Sequence, residues 1–173
     1  MSVLRILQKH EPMLRMLSQP VDPTDIHLHY KLVDDMVDTM LAANNGVGLA
    51  APQVGRNVRL IVMRMKDGSP AAILNPVILH KSTERRHRYQ EGCLSIPRDQ
   101  WKGSPARAER VTLQYLRRDG KHGLLTLTGL QAIIIQHEVD HLNGVLFTDR
   151  CRPPVGKKHL PEVDNPFPIE RRL

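Results

Sequence analysis

The residues most able to do chemistry in this chain are His137-Glu138-Val139-Asp140-His141. Residues four apart share one face of a helix, so His137 and His141 can offer two imidazoles to one metal ion. Glu138, beside the first of them, is placed to take a proton from a water held at that ion. Taken alone the pattern also fits two surface histidines. A hydrolytic metal site needs three protein ligands and one open position. Cys93, in Glu91-Gly92-Cys93-Leu94-Ser95, is the better candidate for the third ligand, because a glycine-containing segment lets backbone approach an ion closely. The plainer reading of Cys93 is a small buried core residue. Cys151 borders a proline-rich segment and reads as an incidental thiol. His27 and His29, two apart, point to different sides of any helix.

The elements that must carry these residues are legible in outline. Gly129 opens a helix in which Leu130, Ile133 and Ile134 stack below His137 and His141, and Asn143-Gly144 ends it. So apolar a helix should be buried, with its histidines at the edge of the core. Another helix is expected from about Asp25 to Asn44, where Leu32/Val33, Met36/Val37 and Met40/Leu41 recur at helical spacing. The stretch Gly46-Val47-Gly48-Leu49-Ala50-Ala51-Pro52-Gln53 reads as a loop. Strands are expected at Arg59 to Met65, at Ala71 to Leu74 and Val77 to Leu79 around Asn75-Pro76, at Val111 to Leu116 and at Leu124 to Thr128. Asp119-Gly120 supplies a turn between the last two.

A chain of 173 residues with 40% apolar and 25% charged residues supports one globular domain. We expect a single catalytic domain over 1–150 and a proline-rich basic tail over 151–173, extended along the surface or without order. Aromatic residues make up only 3%, which argues against the base-stacking platforms of many nucleic-acid modules. The net charge of +7 is concentrated beyond residue 53. A basic face simply solvated is the first reading of that excess, and attraction to a polyanion such as RNA the second. Two cysteines cannot build a disulfide framework. No apolar run approaches the roughly 18 residues that span a bilayer, and Arg5, Lys9, Glu11 and Arg15 interrupt the N-terminal apolar runs. A cytoplasmic protein without a membrane segment, acting as a monomer, is the expectation.

Three segments, in order, resemble the signature motifs of the peptide deformylase family: the glycine-rich loop ending in Gln53, the segment Glu91 to Ser95, and Gln136 to His141. The similarity extends from about Ile6 to Arg150, which leaves no room before it for a transit peptide. The resemblance implies an α+β fold with antiparallel β-sheets around a central metal-binding helix. It implies removal of the N-formyl group from the initiator N-formylmethionine of nascent proteins, with release of formate. Cys93, His137 and His141 would hold one divalent ion, Fe(II) in the cell, with Zn(II), Ni(II) or Co(II) able to replace it. Glu138 would be the base, and the Gln53 amide and the Leu94 N–H would stabilise charge on the former carbonyl oxygen. Val47, Gly48, Gly92, Ile133 and Ile134 would contact the N-formylmethionyl peptide, and Arg107 would pair with Glu91 to brace the Cys93 loop. Plain core packing explains Ile133 and Ile134 equally well.

Three features depart from the family pattern, one of them a slight lengthening at Asp99-Gln100-Trp101-Lys102-Gly103 before Arg107. Arg98 stands where many relatives have glycine, and the proline-rich tail replaces a C-terminal helix tied to ribosome docking. Contact with the ribosome would therefore have to use the basic surface. The competing readings are a zinc endopeptidase of the His-Glu-x-x-His type and a metal-binding module without turnover. The first lacks a downstream ligand other than His159. The second does not require Glu138 or Gln53.

Overall fold

A computed structural model describes residues 2–86, 91–100 and 105–151. The sheet that organises these residues grows from a short all-apolar run, Leu60-Ile61-Val62-Met63. Its side chains alternate between two faces, and all four are fully buried. Ile61 and Met63 join one core cluster with Ile134, Ile135 and Val139, while Leu60 and Val62 join another with Val33, Met36 and Met40. A strand covered on both faces has no polar alternation to show, which is why this run is continuous.

The strands are β1 (Gly48–Ala50), β2 (Leu60–Arg64), β3 (Pro70–Lys81), β4 (Arg85–Arg86), β5 (Arg107–Ala108), β6 (Arg110–Leu116) and β7 (His122–Thr128). Five form one antiparallel sheet in the order β1-β2-β3-β6-β7, and β4 pairs with β5 separately. Helix α1 (Tyr30–Ala42) covers one face of the sheet and α2 (Leu130–Leu142) lies against the other; a short α3 (Phe147–Arg150) follows. The arrangement is α+β, with antiparallel strands around the helix that carries the His-Glu-x-x-His residues.

Three expectations need correction. The residues read as the start of a helix at Asp25 form a 3-10 helix over Pro23–His29, capped by the Asp22 carboxylate on the Thr24 N–H, and α1 begins only at Tyr30. The segment read as a loop contains β1, paired Gly48 to Met63 and Ala50 to Ile61, then a 3-10 turn over Ala51–Val54. The strands read separately around Asn75-Pro76 are one strand, β3. Asn75 adopts a left-handed φ of 46°, and the register against β6 shifts between Leu74 and Val77. Asparagine tolerates that conformation, and its side chain bonds the Val21 backbone at both ends, so a bulge replaces the expected break.

Helix α2 is enclosed on nearly all sides, and every residue from Ala132 to Leu142 is buried, the polar ones included. Leu130 is the exception to the stacking expected of it, at 50% exposure. Gly144, with φ 71°, closes the helix as expected. Arg59 is buried beside this helix end, donating to the Leu142 carbonyl and to Asn143 Oδ1, and no local pattern predicts that burial. Cations are favourable where orphan carbonyls gather at a helix C-terminus. The tail over 152–173 and residues 101–104 of the lengthened segment lie outside the described residues.

Candidate active site

Helix α2 presents His137 and His141 on the face turned toward the Cys93 segment. Cys93 Sγ lies 3.2 Å from His141 Nε2, and one ligand atom from each of Cys93, His137 and His141 falls within 4.8 Å of the others. All three residues are buried. His137 Nδ1 is 2.8 Å from Glu91 Oε2, which fixes the ring and leaves its Nε2 for the site. A thiolate and two imidazoles suit Fe(II), Zn(II), Ni(II) or Co(II), and three ligands leave a position open. Burial holds His141 well below the usual imidazole range, neutral as a ligand must be. A metal ion therefore fits these residues.

Glu138 lies at 4% exposure beside them. Burial pushes its pKa up to about 7, close to where a general base works best at neutral pH. Its Oε2 is buried without a hydrogen-bond partner among the described residues, so it is available to a water at the donor set. Gly48 explains how the carboxylate fits. A Cβ there would lie 2.5 Å from Glu138 Oε1 and 2.8 Å from Ile134 Cγ2. We expect Gly48→Ala to lower kcat by about ten- to a hundredfold, since misplacing a reacting group by ~1 Å costs on that order. Steady-state kinetics beside a melting curve check this; an unchanged kcat would show that the close approach has no bearing on turnover.

Gln53 sits in the 3-10 turn after β1. Its Oε1 accepts the Ala50 N–H at 2.9 Å, and its Nε2 points to Ser95 Oγ at 3.1 Å and Cys93 Sγ at 3.7 Å. The amide is thereby oriented with its donor edge toward the Cys93 segment. A cleft of about 430 Å³ opens above these groups. Its lining includes Val47, Gly48, Gln53, Gly92, Leu94, Ile133, Ile134, His137 and Glu138. Every residue singled out from the sequence as a ligand, base, stabilising donor or substrate contact thus borders this cleft or, for His141, completes its donor set.

The bracing pair is present and belongs to a larger network. Arg107 donates from Nε to Glu91 Oε1 at 2.8 Å and from Nη2 to Oε2 at 3.0 Å, while its Nη1 bonds Asp140 Oδ2 at 2.5 Å. Arg150 grips the same Asp140 through both carboxylate oxygens. Burial alone would raise the Glu91 pKa, but the hydrogen bonds from His137 and Arg107 outweigh it and hold the carboxyl at about 2. Sequence reasoning missed Asp140 and Arg150. A signal existed: Asp140 is an acid inside a helix otherwise buried, and a buried carboxylate calls for a cation. It also missed Gln136, which bonds both backbone groups of Ala108 at 3.0 and 2.9 Å and so ties α2 to β5.

An antiparallel sheet wrapped on a His-Glu-x-x-His helix, with a cysteine ligand from a separate segment and a buried carboxylate beside an open cleft, defines a metal-dependent hydrolase. Comparison with known proteins makes this specific. Residues 3–157 match the polypeptide deformylase family. Peptide deformylase of Dehalococcoides mccartyi is 43% identical over 175 residues, 99% of each chain, and that of Brucella suis 43% identical over 153 residues, 86% of this chain and 85% of the relative. The actinonin-bound class I type b peptide deformylase of Acinetobacter baumannii superposes with a TM-score of 0.80 at 37% identity, covering 88% of this chain and all of that one. The chain belongs to the polypeptide deformylase family, metal-dependent hydrolases that remove the N-formyl group from nascent peptides.

Proposed function

We propose that residues 1–150 form the catalytic unit and that Cys93, His137 and His141 hold one divalent ion, Fe(II) in the cell, with Zn(II), Ni(II) or Co(II) able to occupy the same donors. When bound, the ion supplies Lewis acidity that makes water a nucleophile near neutral pH and draws charge from a carbonyl oxygen. Glu138 takes the proton of the attacking water and returns it to the departing amine. The Gln53 Nε2–H and the Leu94 N–H are the protein donors for negative charge developing on the former formyl oxygen. Glu91 holds His137 in the ligating tautomer, and Arg107 holds Glu91.

The methionine side chain is assigned to the apolar end of the cleft, at Ile133, Ile134 and the His137 ring. Val47 and Gly48 offer main chain to the peptide, since β1 is the end strand of its sheet and pairs with β2 on one side only. Gly92 borders the same cleft. A second Acinetobacter baumannii structure holds Met-Ala-Ser and superposes with a TM-score of 0.80 at 37% identity, which supports a peptide lying along this cleft. No helix among the described residues is long and apolar enough to cross a membrane. We place the protein in the cytoplasm as a monomer. Its excess of positive charge, +7 over the full sequence, is the feature we assign to contact with the ribosome.

The observation that carries this reading is the Cys93–His137–His141 donor set with Glu138 buried beside it. Formate release from formyl-Met-Ala-Ser by anaerobically purified protein tests it. Turnover that falls away in Cys93→Ser, in step with metal content, is expected. No formate from folded protein loaded with Fe(II) or Ni(II) would overturn it, as would a Cys93→Ser variant that keeps its metal.

A further inference from the structure

Ser95 closes the second of the three motifs, and the catalytic reading gives it no task. It is fully buried, and in sequence it falls between Cys93 and Ile96, which pack in one apolar cluster with Leu14, Leu146 and Phe147. A hydroxyl in such surroundings costs stability unless it is bonded. Its Oγ lies 3.1 Å from Gln53 Nε2, across 42 positions of sequence. The same two residues are tied together through main chain. The Leu7 N–H donates to the Gln53 carbonyl and the Lys9 N–H to the Ser95 carbonyl, each at 2.8 Å. Gln53 is therefore held at its carbonyl, at Oε1 by the Ala50 N–H at 2.9 Å, and at Nε2 by Ser95. A backbone N–H can only donate, which settles the end of the amide that is oxygen. Gln53 borders the cleft, and Ser95 is not among its described lining residues.

We propose that Ser95 is a positioning residue for the reaction: it fixes the rotation of the Gln53 amide so that one N–H stays aimed at the substrate oxygen beside Cys93. This rests on the reading above of Gln53 as a donor to the former formyl oxygen. A primary amide carries two N–H groups on one nitrogen. Ser95 Oγ engages one of them, and Nε2 lies 3.7 Å from Cys93 Sγ, so the other is left beside the donor set. A donor of this kind is effective when its direction is set before charge develops. Ala50 alone holds the amide at one point and leaves it free to turn about that bond. Ser95 supplies the second point, which stops the turn. In this role Ser95 meets neither the peptide nor the metal ion, so its removal slows turnover without weakening the binding of either.

The test compares kcat and KM on formyl-Met-Ala-Ser for the wild type, Ser95→Ala, Gln53→Ala and the double variant, all loaded with the same metal. Ser95→Ala is expected to lower kcat by about ten- to a hundredfold, the order of loss for a misplaced group and less than the ~10²–10³ of deleting such a donor. KM and metal content should stay those of the wild type. In the Gln53→Ala background the same change should cost nothing further, because no amide is left to aim. A purely structural role would instead give the same loss in both backgrounds. A second readout needs no turnover. In the zinc-loaded wild type the Gln53 side-chain amide protons should exchange with water more slowly than those of exposed Gln19, and Ser95→Ala should speed their exchange. Fast exchange in the wild type, an unchanged kcat in Ser95→Ala, or an equal loss in both backgrounds would overturn the role of Ser95. A slow Gln53→Ala beside any of these results keeps Gln53 as the donor, whereas full activity in Gln53→Ala removes both readings.

Discussion

Glu138→Gln is expected to lower kcat by about 10²- to 10⁴-fold, the range typical of losing a positioned general base, while metal content stays that of the wild type. The substitution keeps the shape of the side chain, so it still fits the space that Gly48 leaves for it. It removes only the capacity to accept and return a proton. Because Glu138 is not among the three donors that lie within 4.8 Å of one another, the ion has no reason to leave. Burial disfavours the ionised carboxylate enough to push its pKa up to about 7, above the ordinary value of a glutamate. An acid raised on folding makes the folded state less stable wherever the unfolded side chain is ionised. An uncharged amide in its place should therefore leave the melting temperature level or raise it. A fall in kcat with no fall in stability marks a group retained for chemistry at a cost to the fold. If kcat drops less than about tenfold, far below the general-base range, another group takes the proton.

How far the site could be read ahead of the fold depended on how local each residue's task is. His137, Glu138 and His141 sit within one turn and a half of one helix, so spacing alone put them together. Cys93 needed the surrounding motif, since nothing in a lone cysteine says which helix it will face. The Glu91–Arg107 pair likewise came from a family pattern, and the structure adds that the same guanidinium also reaches Asp140. Local pattern found β2 by its unbroken apolar run, β6 and β7 by alternation, and α2 by its stacked apolar residues. It failed at Gly48-Leu49-Ala50, where three residues are too few to show alternation and the strand is defined by pairing with Ile61 to Met63. It failed again at Asn75-Pro76, where composition reads as a turn but β2 and β6 hold both flanks in one sheet. Long-range pairing decided both, and no local window contains it.

Arg107→Met should destabilise the protein by about 3–5 kcal/mol, the range for removing one partner of a buried ion pair. The substituent approximates the aliphatic volume but leaves two buried carboxylates, Glu91 and Asp140, without the guanidinium that each one bonds. Arg150 still covers Asp140, so Glu91 is the more exposed to loss. With Arg107 gone, burial can raise Glu91 from its present value of about 2, and a protonated Glu91 is a poorer acceptor for the His137 Nδ1–H. Metal affinity should then fall by about 10- to 100-fold, the usual effect of removing an outer partner of a ligating histidine. Lysine is not expected to rescue, because a single ammonium cannot reproduce three N–H bonds in a fixed fork. Denaturant melts of the apo and metal-loaded forms, with a competitive metal titration, measure the two effects separately. The paired variant Arg107→Met/Glu91→Gln discriminates charge from packing: if the stranded carboxylate dominates, the second substitution restores part of the lost stability, and the cycle gives a coupling in the range of about 0.5–3 kcal/mol seen for residues in contact. A single variant that loses less than about 1 kcal/mol, the ceiling for exposed pairs, would show that water reaches this network and that it braces nothing.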